Sequence, residues 1–166
     1  MATKENAMEA FAGESQANRK YAAFAEKATE EGYPGIARLF KAASEAEAIH
    51  ARRILKAIMA IGKTEENLAG AVSGETHEFT EMYPGFVKEA EAEKMTEALQ
   101  IFGYAMQAEE VHAGLYKKAL AAIRAGRDLG REKVFLCPIC GNVMIGEAPE
   151  KCPICSAFRK VFQVIE

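Results

Sequence analysis

From Thr3 to about Arg124, apolar residues recur every three or four positions in a background of Ala, Glu, Lys, Leu and Met. That period is the signature of amphipathic helix, and the composition favours it. Punctuation falls at Gly32-Tyr33-Pro34, at Gly62-Lys63-Thr64 and near Ala92-Glu93-Lys94, which divides the stretch into four helices of broadly similar length. Pro84 and Gly85 lie inside the third, where a missing N–H predicts a kink. After "RAGRDLGREK" the pattern changes, and helix formers give way to Val, Phe, Pro, Gly and Cys. A helical domain is therefore expected over 1–124, a linker over 125–133 and a small second domain over 134–166. The last is too short to hold a hydrophobic core unaided, so a bound metal is expected to supply the missing stability.

Polar residues interrupt the apolar faces at a few particular places. In "QAEEVHAG", Glu109 and His112 stand three apart and share one helix face, and "EAEAIHA" repeats the spacing at Glu47 and His50. One such pair is commonplace on a solvated surface. Two of them, each in mid-helix with apolar residues in register, point inward: Leu39, Ala43, Ile54 and Ile58 accompany the first, and Phe102, Met106, Leu115 and Ile123 the second. A buried Glu must be protonated, ion-paired or bound to metal.

An internal comparison then picks out carboxylates on the other two helices. Glu14 in "GESQ" precedes Glu47 by 33 positions, and Glu75 in "GETH" precedes Glu109 by 34, as though one helical hairpin were written twice. Tyr21 and Tyr83 follow these glutamates by about two helical turns and are candidate hydrogen-bond donors to the site, or plain core aromatics. Glu78, one turn after Glu75, extends the set to Glu14, Glu47, His50, Glu75, Glu78, Glu109 and His112. Glu45, Glu81 and Glu110 are read as solvated, and His77 as a surface residue. One Glu from each of two helices with Glu-x-x-His from each of the other two is the ligand pattern of carboxylate-bridged di-iron or di-manganese bundles. Mixed oxygen and imidazole donors suit iron or manganese better than zinc.

All four cysteines lie in two knuckles, Cys137-Pro138-Ile139-Cys140 and Cys152-Pro153-Ile154-Cys155, separated by eleven residues. This spacing makes a tetrahedral four-sulfur metal site. A structural zinc ribbon is one reading; a single redox-active iron is the other, and the oxygen-rich site upstream favours it because that site needs an electron source.

Charge and targeting signals remove several classes. The formal charge of −3 and pI near 5.8, with Lys and Arg scattered, leave no nucleic-acid footprint. "MATKENAMEAF" is not a secretory leader, and no apolar run approaches the roughly 18 residues of a membrane span. A soluble, cytoplasmic protein is expected, with thiols held by metal rather than by disulfides.

Taken together, "AFAGESQA", the Glu-x-x-His at 47–50, "GETHEFTEMYP", "AEEVH" and the paired "CPIC" knuckles closely resemble rubrerythrin, over almost the whole chain. The resemblance implies an all-α ferritin-like four-helix bundle holding two iron ions, followed by a small rubredoxin-like domain holding one. It implies a non-haem di-iron peroxidase of oxidative-stress defence that reduces hydrogen peroxide to water, with electrons from NADH through a separate reductase. It would make Glu47 and Glu109 bridging carboxylates and Glu14 and Glu75 terminal ligands. His112 would sit on one iron, while His50 and Glu78 alternate on the other, with Tyr21 and Tyr83 at hydrogen-bonding positions. Ser156 departs from the pattern, since the second knuckle usually continues with Gly there; backbone freedom is lost but no ligand.

The short break at 62–64 bears on assembly. In the ferritin-like arrangement the second and third helices run parallel, and Glu47 and Glu75 then require a crossover of roughly 36 Å. Three or four extended residues reach only about 10 to 14 Å. Either residues 65–74 lie outside the third helix, or two chains form a homodimer that exchanges hairpins. The competing functional reading is a ferroxidase that stores or detoxifies iron, and a third is a structural protein with a zinc ribbon and inert carboxylates.

Overall fold

A computed structural model of the chain describes residues 2–166. The elements are α1 (Ala2–Glu30), α2 (Pro34–Ala57), α3 (Thr64–His77), a π-helical turn (Glu78–Met82), α4 (Tyr83–Ala92), α5 (Thr96–Arg124), and the strands β1 (Val134–Leu136), β2 (Val143–Ile145) and β3 (Gln163–Ile165). They form two compact units that meet in sequence at Gly62 and Lys63.

The first unit is the hairpin of α1 and α2. Its turn follows from Gly32, whose φ of 81° lets Tyr33 N–H donate to Ala28 O at 2.8 Å, and from Pro34, pre-set for the first turn of α2. The buried seam is made of small residues, Ala25, Ala28, Ala37, Ser44 and Ala51, with Asn18. Asn18 Nδ2–H donates to Ser44 O at 2.7 Å and to Ser44 Oγ at 3.0 Å, and Ser44 Oγ–H donates to Asn18 O at 2.9 Å. These bonds clamp the two helices at one depth. Leu39, expected to pack in register with Glu47 and His50, is 69 % exposed, while alanines fill the close seam.

The second unit sets α3 and α4 against α5. The kink expected at Pro84 takes the form of the π turn just before it: Tyr83 N–H reaches back five residues to Glu78 O, and Pro84 enters the first turn of α4, where its missing N–H costs little. A ring trio of Tyr83, Phe86 and Phe102 repeats that of Tyr21, Phe24 and Phe40 in the first unit. The ribbon that follows is an antiparallel sheet in the order β2-β1-β3, with Phe135 opposite both Met144 and Val164. Its centre is sulfur: Cys137, Cys140 and Cys152 are buried, packed by Ile154, Ala157, Phe162 and Tyr104 of α5.

The connection between α2 and α3 differs from its expectation. α2 stops at Ala57, before the expected break, because Met59 at φ 53° lets Met59 N–H donate to Lys56 O and Ala60 N–H to Leu55 O. This is the left-handed helix stop usually built on glycine, as it is at Gly32 and Gly126. α3 begins at Thr64, where the Glu66 carboxylate accepts Lys63 N–H at 2.8 Å. Residues 65–74 are therefore helical, which removes one of the two explanations for the short break.

Candidate metal centres

Each helical unit brings three of the singled-out side chains together. In the first, ligand atoms of Glu14, Glu47 and His50 lie within 4.8 Å of one another; in the second, those of Glu75, Glu109 and His112 do the same. The local cause is helical: Glu-x-x-His places the imidazole one turn beyond its carboxylate, with Nδ1 2.8 Å from Glu47 Oε2 at His50 and 2.7 Å from Glu109 Oε2 at His112. The hairpin partner adds the third group, Glu14 Oε1 at 3.7 Å from His50 Nδ1 and Glu75 Oε2 at 3.9 Å from His112 Nδ1. The two units thus present the same donors through the same ring nitrogen.

The electrostatics are those of carboxylates crowded together. Burial, then a hydrogen bond and repulsion from Glu109, push the Glu75 carboxyl up to about 7. Glu14 is raised by its hydrogen bond to Glu47, and the same bond together with His50 lowers Glu47. In each pair one proton is shared where two negative charges meet. A divalent cation would take the place of that proton, and carboxylate oxygens with imidazole nitrogen are the donors that iron accepts, so the residues fit the group.

Glu78 stands at the first position of the π turn, outside the second triad, although its charge raises both Glu75 and Tyr83. Burial first, then Glu109, Glu78 and Glu75, hold the Tyr83 hydroxyl above its usual range and so protonated. Tyr21 occupies the corresponding ring trio of the first hairpin. Glu45 and Glu110 are exposed, and His77 and Glu81 pair with each other at the surface at 3.3 Å.

The four cysteines are unpaired, and their sulfurs lie within 4.8 Å of one another. Cys137 Sγ is 3.6 Å from Cys155 Sγ, and Cys140 Sγ is 3.5 Å from Cys152 Sγ. A disulfide needs about 2.05 Å, whereas a tetrahedron with metal–sulfur bonds of about 2.3 Å has edges near 3.8 Å. The spacing is that of a metal cage. The two knuckle loops match: Gly141 N–H donates to Cys137 O and Ser156 N–H to Cys152 O, both at 2.9 Å, with φ of 80° at Gly141 and 62° at Ser156. Burial raises the Cys140 thiol. It also opposes ionisation of Cys152, but the N–H groups of Cys155 and Ile154 outweigh it and bring that thiol down to about 7.

Two participants carry no signal in the sequence. His112 Nε2–H donates to Gly141 O at 3.0 Å, which ties the α5 imidazole to the residue after Cys140 and leaves Nδ1 for the carboxylates. A ligating histidine usually has such a carbonyl partner on its other nitrogen. Asn142, buried to 1 % exposure, places Nδ2 3.8 Å from Cys152 Sγ. Both contacts depend on how the ribbon packs, and no local spacing announces them.

Comparison with known proteins identifies the family. The family model described as Rubrerythrin matches residues 5–120, and that described as Rubrerythrin, rubredoxin-like domain, matches residues 135–163. The chain is 42% identical to nigerythrin of Nitratidesulfovibrio vulgaris over 174 residues, covering 96% of this chain and 85% of that protein. It is 38% identical to rubrerythrin-2 of Clostridium acetobutylicum over 168 residues, covering 93% and 91%. A solved structure of nigerythrin in a mixed-valence state aligns with a TM-score of 0.57 at 38% identity, over 98% of this chain and 86% of that one.

Proposed function

This chain belongs to the rubrerythrin family, and from that premise we propose that it is a peroxidase reducing hydrogen peroxide to water at a di-iron site. The family carries a ferritin-like helical part with a di-iron site and a rubredoxin-like iron site, in oxidoreductases of peroxide-related oxidative stress. Reduction of one peroxide consumes two electrons and two protons and yields two waters. Iron held by these residues would supply the two electrons.

In this reading Glu47 and Glu109 would be the carboxylates shared between two ions, and Glu14 and Glu75 the terminal ones. His112, fixed by the Gly141 carbonyl behind it, would hold one ion through Nδ1. His50, 54 % exposed, and Glu78, at the wider backbone of the π turn, have the room to alternate on the other. Tyr83 keeps its proton beside three carboxylates and can donate a hydrogen bond to bound peroxide. Tyr21 plays the equivalent part from the first hairpin.

The observation that carries the reading is His112, whose two nitrogens face Glu109 and the backbone next to Cys140. Two single electrons per peroxide must arrive, and this contact ties His112 to the residue that follows Cys140 of the four-sulfur set. Electrons come from NADH through a separate reductase, in a reducing cytoplasm that suits four unpaired thiols. No helix among the described residues is long and apolar enough to cross a membrane.

Stopped-flow mixing of the reduced protein tests the proposal. Peroxide should re-oxidise it much faster than air does, and Glu47→Ala should remove the fast phase while leaving the red colour of four-sulfur iron. Equal rates with peroxide and air would argue for iron oxidation and storage instead.

A further inference from the structure

The connection between α2 and α3 is too short for one chain to complete the site. Glu47 lies ten residues before Ala57, about 15 Å from the end of α2, and Glu75 lies eleven residues after Thr64, about 16 Å into α3. A ferritin-like bundle runs these two helices parallel and joins them by a long crossover. Holding Glu47 and Glu75 level therefore requires the chain to climb about 31 Å between Ala57 and Thr64.

The available reach is far less. Ile58 N–H donates to Ile54 O, Met59 N–H to Lys56 O and Ala60 N–H to Leu55 O, so residues 58–60 stay wound on the end of α2. Only the steps from Ala60 to Thr64 can extend, and they span about 13 to 14 Å. Uncoiling α3 is not a remedy, because its first turn is capped by the Glu66 carboxylate on Lys63 N–H.

We propose that two copies of this chain exchange hairpins, so that each iron pair is held by Glu14, Glu47 and His50 of one copy and by Glu75, Glu78, Glu109 and His112 of the other. The proposal rests on the di-iron reading above. Each hairpin gathers two Glu and one His within 4.8 Å on its own, so each can bring half of a site to a partner, and a twofold pairing of chains then completes two equal sites. The occupant of the open hairpin faces is thus a second copy, which covers large apolar groups left exposed on both units, among them Phe24, Ile49, Phe86 and Ile101.

The test is complementation between full-length chains. Glu47→Ala and Glu109→Ala chains, each with its own affinity tag, are co-expressed, and the mixed dimer is isolated through both tags. With exchange, one of its sites collects both lesions and the other collects none, so its bundle iron should be about half that of wild type, while each variant alone holds almost none. If the alanine variants fold poorly, Glu47→Gln and Glu109→Gln serve in their place. Sedimentation gives a readout independent of metal: wild type should be a dimer, and about 30 flexible residues inserted after Gly62 should yield iron-loaded monomer. Wild type that loads bundle iron as a monomer, or a mixed dimer with no recovered iron, overturns the exchange alone. Wild type with no bundle iron overturns the di-iron reading, and the exchange with it.

Discussion

Glu75 shows how burial and a neighbouring carboxylate set the charge of a single carboxyl. Its ordinary value is 4.5, and burial with Glu109 beside it raises it to about 7 in the folded chain. Between these values the iron-free folded protein keeps a proton that the unfolded chain has lost, so the stabilisation is complete below pH 4.5 and disappears as pH rises through 7. Glu14 acts in the same direction, while the lowered Glu47 acts only below its ordinary value. The melting temperature of iron-free protein should therefore fall between pH 4.5 and 7, and Glu75→Gln, which cannot titrate, should flatten that slope. Thermal melts followed by circular dichroism check this, and a melting temperature that rises across the window in wild type would contradict it. Glu109 and His112 could be singled out from residue order because i, i+3 spacing is a property of any helix, and Glu75 because the first hairpin repeats its place at Glu14. The partner of His112 could not, since Gly141 is 29 positions away and meets it only through packing.

Among the elements, the α1–α2 hairpin owes its register to a polar clamp in an alanine seam. Asn18 is buried, donates twice to Ser44, and accepts Arg19 Nε–H at 2.8 Å. Asn18→Ala should destabilise the protein by about 1–3 kcal/mol, since Ser44 and the surrounding backbone lose buried partners. The urea midpoint should drop with an unchanged slope; a shift within error would show that the clamp contributes nothing net. The helical blocks themselves were legible from their period and their Gly and Pro punctuation. The end of α2 was not, because Met59 adopts the left-handed stop at φ 53° with no glycine to mark it. Lys94, at φ 59°, ends α4 in the same way.

For the molecule as a whole, the ribbon and the helices draw stability from different sources. Three buried cysteines and a few partly buried neighbours make up the ribbon's centre, so its metal accounts for most of its cohesion. Cys152→Ser should abolish the red colour and the amide protection of β1, β2 and β3. The helical far-UV signal should persist. Hydrogen exchange read by mass spectrometry checks both, and a protected ribbon in the colourless variant would show that apolar packing alone suffices. Tyr104 of α5 also packs on this centre, so the same variant should loosen the His112–Gly141 contact.

Residue order alone specified whatever depends on neighbours within a turn or two: helical period, the pairing of Glu with His one turn on, and knuckle loops whose cysteines flank Pro-Ile. Distances of that kind are imposed by backbone geometry and survive any packing. Other features are long-range. The seam turned out to be alanine with Asn18 and Ser44 rather than large aliphatic groups, because helix separation depends on both partners at once. The carbonyl behind His112 and the wound end of α2 likewise emerge only when distant segments and backbone caps compete for the same hydrogen bonds, a competition that local pattern does not record.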